Sequence, residues 1–66
     1  MKLKIDDKVR CLKTINNLFG WVLFIEGDTY DVLNVTEYGV TLNHILYADE
    51  FEEYDFNFIN QNFVKI

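Results

Sequence analysis

Apolar and polar residues alternate one by one along several stretches of this chain, the period of strands that bury one face. Lys8-Val9-Arg10-Cys11-Leu12-Lys13-Thr14-Ile15 opens the series, with Val9 and Cys11 out of phase with Lys8 and Arg10. Asn16-Asn17 then breaks the run, and Leu18-Phe19-Gly20-Trp21 continues as an irregular loop. Trp21 to Ile25 is apolar throughout and reads either as a short strand or as the packed base of a loop. Glu26-Gly27-Asp28 is a turn in which Gly27 is the residue able to take a positive φ.

Thr29 to Val35 follows, rich in strand-forming residues. Thr36-Glu37-Tyr38-Gly39 reads as a hairpin connection with Gly39 at a left-handed, bulge-type position. The return strand is expected over Val40–Tyr47, and Ala48-Asp49-Glu50 turns the chain again. Tyr54, Phe56 and Phe58, spaced by two, predict a strand from Phe51 to Phe58. Ile59 to Asn62 resembles one helical turn, and Phe63 to Ile66 closes the chain as a short strand. No window long enough keeps a helical apolar period, which excludes a helical bundle. Five short strands in one domain spanning residues 1–66 predict an all-β fold, either a small barrel or a strongly bent antiparallel sheet.

Composition explains how so short a chain fills a core. A domain of 66 residues buries only about 60% of the surface its unfolded chain exposes. With 17% aromatic residues, large rings supply the missing apolar area. Charge narrows the partners. A formal charge of −5 disfavours nucleic acid, whose affinity comes from neutralised phosphates, and suits a partner with a basic surface. No apolar run approaches the roughly 20 residues of a membrane span, and no apolar stretch follows Lys2 and Lys4 as in a signal peptide. A cytoplasmic setting is expected.

Candidate chemistry is sparse. The chain has no serine, and its threonines lack a glycine-flanked nucleophile turn. Cys11 and His44, the single cysteine and histidine, build neither a disulfide framework nor a zinc site. Cys11 alternates in phase with Val9 and is expected to face inward as a small hydrophobe. No catalytic residue, metal or cofactor is therefore expected.

The pattern resembles the small SH3-like proteins encoded by phages and mobile elements of low-GC bacteria. Lys8-Val9-Arg10-Cys11, Phe24 and Gly27 before Tyr30-Asp31-Val32-Leu33, and Gly39-Val40-Thr41-Leu42 carry the likeness. So does Phe56-Asn57-Phe58-Ile59 leading into Asn62-Phe63-Val64. The resemblance spans about Asp6 to Ile66. It implies an SH3-like barrel with a helical turn before the last strand, a phage origin, and thus the cytoplasm of a host cell. It implies no activity.

Two surfaces remain as binding candidates. Asp49, Glu50, Glu52, Glu53 and Asp55 put five carboxylates within seven residues, either a solvated hairpin or a patch for a basic surface. Phe19 and Trp21 flank Gly20 and serve either as an exposed anchor or, on the favoured reading, with Trp21 capping one end of the barrel. These features point to a noncatalytic inhibitor docking on a basic groove of a host enzyme or defence protein. The second reading is capture of a signalling nucleotide by a dimer or higher oligomer. Aromatic rings would stack the base, Lys8, Arg10 and Lys13 would meet phosphates, and His44 would contact the ligand. Direct nucleic-acid binding by an SH3-like module is the third.

Overall fold

The computed structural model describes residues 2–43 and 52–66. Its elements are β1 (Lys8–Cys11), β2 (Ile15–Asn16), β3 (Val22–Phe24), β4 (Thr29–Val35), β5 (Gly39–Leu42), β6 (Glu53–Asp55), α1 (Phe56–Asn62) and β7 (Phe63–Lys65). Five strands form one antiparallel sheet in the order β6-β5-β4-β1-β7, and β2 and β3 form a separate ribbon. The fold is all-β, and of the two expected forms it is the bent sheet, curled into a half-barrel with a helix before the last strand.

Alternation explains β1: Val9 and Cys11 are buried while Lys8 and Arg10 face out. The strand stops at Cys11, short of the expected Ile15, because Cys11 closes the base of the β2–β3 excursion. Its N–H donates to the Asp28 carbonyl at 2.9 Å, and its own carbonyl accepts from Gly27 N–H at 2.8 Å. Gly27 has φ +84°, the left-handed turn conformation read from the sequence.

The core comprises Val9, Cys11, Phe24, Tyr30, Val32, Val40, Leu42, Ile59 and Phe63. Phe24 is its hub. It is fully buried and meets the rings of Tyr30 and Phe63 edge-on, each at 5.0 Å between centroids, and Tyr54 at 5.4 Å. One ring on the excursion thus ties together β4, β6 and β7. The Tyr30 hydroxyl accepts from Ile25 N–H at 2.8 Å, so its polar end is satisfied beside the core.

Three expectations are corrected. The strand predicted over Phe51–Phe58 extends only from Glu53 to Asp55 within the described residues, and helix α1 starts at Phe56 rather than Ile59. Asp55 is the reason: its side chain accepts from Phe58 N–H at 2.8 Å and caps the helix. Ile59 and Asn62, three apart on the helix, then turn a buried face inward, and this outweighs the spacing of two among the aromatic rings. Tyr54 and Phe58 stack at 4.8 Å across the strand–helix junction. Gly39 is not in the left-handed region. It lies in β5 opposite Asp55, where a Cβ would run into the Tyr54 carbonyl. Close backbone approach, not turn geometry, requires glycine there. Finally, the return strand ends at Leu42, and His44–Tyr47 lie outside the described residues.

Phe24→Ala should cost about 3–5 kcal/mol, against a total of roughly 3–10 kcal/mol for a domain of this length. Urea unfolding is expected to show a largely unfolded variant at room temperature. Asp7, just before β1, supplies a pH test. Its carboxyl sits below the ordinary value of 3.8, chiefly through the Lys4 backbone N–H and then through Lys65. A depressed carboxyl stabilises above its unfolded pKa, and that contribution disappears as pH falls through the folded value. Asp7→Asn should therefore lower the melting temperature at neutral pH, and the gap from the parent should close in strong acid.

Candidate functional site

The β2–β3 ribbon carries the aromatic loop. Asn17 follows β2, and its side-chain Oδ1 accepts from Phe19 N–H at 2.9 Å and from Trp21 N–H at 3.0 Å. Asn17 N–H donates to the Trp21 carbonyl at 2.8 Å, and Gly20 N–H donates to the Asn17 carbonyl at 3.0 Å. Gly20, with φ +82°, makes this return possible. Four hydrogen bonds to one asparagine hold a tip of four residues, Leu18 to Trp21.

That tip faces outward. Leu18 is 102% exposed, Phe19 84% and Trp21 60%. Trp21, for which capping one end of the barrel is the favoured reading from sequence, is more than half exposed on the loop that Asn17 closes. Leu18 was missed as a surface residue. The available signal was Asn17 followed by Gly20, which marks a side-chain-closed turn rather than a plain break.

The acidic residues divide by role. Glu52 and Glu53 are exposed on and just before β6, whereas Asp49 and Glu50 lie outside the described residues. Glu53 accepts from the Thr36 hydroxyl at 2.7 Å, and the Tyr54 hydroxyl donates to Glu52 at 3.4 Å. Asp55 is occupied as the helix cap. The contact of Phe24 with Tyr54 joins the base of the aromatic ribbon to this acidic strand. That ring contact joins the ribbon to the described part of the acidic stretch.

The basic candidates are not assembled in the same way. Lys8 and Arg10 share the exposed face of β1, and Lys8 Nζ pairs with Asp31 at 2.6 Å in the open. Such an exposed pair contributes about 0–1 kcal/mol. Lys13 lies beyond the strand end, and His44 is outside the described residues. The lysines brought together are Lys2, Lys4 and Lys65, which line a common notch. Only strand register could reveal that grouping, since Lys65 reaches the others through β7 pairing with β1.

Cys11 is 1% exposed, and its Sγ–H donates to the Lys13 carbonyl at 2.8 Å. Burial foremost raises its thiol pKa, and the nearby Glu26 and Asp28 add to that. Among the described residues no group of three or more His, Cys, Asp or Glu side chains could hold a metal ion. Nor is any helix among them long and apolar enough to cross a membrane. Compared with protein-family models, curated proteins and solved structures, the chain gives no match.

Cys11 should therefore label with a thiol reagent at neutral pH only as the fold opens. A rate at least about a hundredfold slower in buffer than in denaturant is expected, consistent with a marginally stable domain. Comparison of the two labelling rates measures it.

Proposed function

We propose that this protein is a noncatalytic binding module that docks on a basic groove of a partner protein, with its aromatic tip as the anchor. The observation that carries this reading is the fixed, outward display of Leu18, Phe19 and Trp21. Large apolar side chains on a soluble surface ordinarily cost solubility, so a braced group of three is a binding feature. Because Asn17 already orders the backbone, little further entropy is lost when the tip enters a pocket. Aromatic anchors of this type dominate interface energies.

Charge supplies the partner's complement. Glu53 lies on β6 and Glu52 just before it, Tyr54 of that strand meets Phe24 at the base of the ribbon, and the whole chain carries −5. A basic rim around an apolar pocket would meet both features together, with the charges raising the association rate more than the affinity. The resemblance to phage-encoded SH3-like proteins supports a narrower version. The module is then an inhibitor of a host enzyme or defence protein, acting in the host cytoplasm.

The test is recovery of a partner from the natural host on the immobilised protein, followed by binding measurements with variants. Leu18→Ala with Phe19→Ala should weaken binding by at least about tenfold while circular dichroism stays unchanged. The triple reversal Glu50→Lys, Glu52→Lys, Glu53→Lys should abolish capture without unfolding the domain. A partner retained by the triple variant at raised salt would exclude the electrostatic mechanism, and one indifferent to Leu18 and Phe19 would exclude the anchor.

A further inference from the structure

Six basic residues face eleven acidic ones in this chain, yet the fold collects three of the six around one concavity. Lys2, Leu3, Lys4, Asp7 and Lys65 line a notch of about 290 Å³. Leu3 packs against the buried core, so the apolar part of the lining is anchored from beneath. Lys65 arrives from β7, opposite Val9 of β1, while Lys2 and Lys4 come from the segment before β1.

Asp7 does not neutralise this group. Its Oδ2 accepts from Lys4 N–H at 2.9 Å and lies 3.4 Å from Lys65 Nζ, so its capacity is already engaged. Among the described residues the ion pairs are Lys8–Asp31 and Lys65–Asp7, so neither Lys2 nor Lys4 makes a close ion pair there, and Lys4 feels Asp7 only at longer range. Three lysines against one aspartate leave two positive charges in a protein that is otherwise negative. Like charges gathered around a hollow repel one another until an anion enters.

We propose that this notch binds a small phosphate-bearing anion. The excess charge matches a dianion and exceeds what a single carboxylate would balance. Lysine ammoniums are compact charges on flexible stems, able to close on a tetrahedral oxyanion from several directions. The volume falls just below the roughly 300–1,000 Å³ of drug-sized ligand pockets, which suits a phosphate with at most a modest body beside Leu3. A long polyanion is opposed by the acidic remainder of the surface. The site involves neither the aromatic tip nor β6, so its success or failure is independent of the docking surface.

Titration of the intact, ¹⁵N-labelled protein with inorganic phosphate, adenosine monophosphate and acetate, followed by amide NMR, tests the proposal. Saturable shifts centred on Lys4, Asp7 and Lys65 are expected with both phosphate probes and not with acetate. Lys2→Ala with Lys4→Ala, outside every strand, should keep the parent spectrum elsewhere and weaken binding by about tenfold or more. Lys65→Gln, which keeps the chain length and removes the charge, should weaken it as well. The proposal is overturned by the absence of saturable shifts with either phosphate probe or by an equal response to acetate. Shifts spread equally over Arg10 and Lys13, or unchanged affinity in the Lys2/Lys4 variant, overturn it too.

Discussion

The ring of Phe24 is the point on which this fold depends. It belongs to the ribbon that leaves the sheet after β1 and returns before β4, yet it is fully buried among Tyr30, Tyr54 and Phe63. Edge-on aromatic pairs add about 0.5–1.5 kcal/mol each beyond burial, and three of them converge on one side chain. In a chain this short no second core compensates for their loss. The ring therefore determines both whether the sheet curls and where the excursion lies.

Position and function are linked through the same contact. With Phe24 held, β3 pairs with β2, and Asn17 stands where its side chain can close the tip. The apolar surface of Leu18, Phe19 and Trp21 is thus supported by the core two strands away. The Phe24–Tyr54 contact also brings the ribbon beside β6 and its carboxylates. At the opposite end of the sheet, β7 carries Lys65 to the lysines that precede β1. In strand order, β6 with Glu53 and Asp55 and β7 with Lys65 are the two edges of the sheet.

Several parts of this arrangement were legible in the residues. Lys8 to Cys11 alternates in the sequence and alternates in burial, and Gly27 takes the positive φ that its turn context required. Other signals pointed the wrong way for identifiable reasons. Tyr54, Phe56 and Phe58 have strand spacing, but Asp55 caps a helix among them, and a cap acts over three residues where a period needs more. Gly39 opens strand β5 after a turn and reads as a turn glycine, although its constraint comes from Tyr54, fifteen residues away in sequence. Trp21 reads as a cap on one end of the barrel because small domains need their rings, whereas in the loop closed by Asn17 it is more than half exposed.

By itself the sequence determined the all-β class, the inward thiol of Cys11, and the two stretches where apolar and acidic residues concentrate. These follow from period, composition and local turn chemistry, all of which act over a few neighbouring residues. Tertiary structure decided which residues meet: Phe24 with Tyr54, Gly39 with the Tyr54 backbone, and Lys65 with Lys2 and Lys4. It also decided that the aromatic tip faces solvent. Contacts of this kind depend on strand register and on the path of a long excursion, which are settled only when the whole core packs at once.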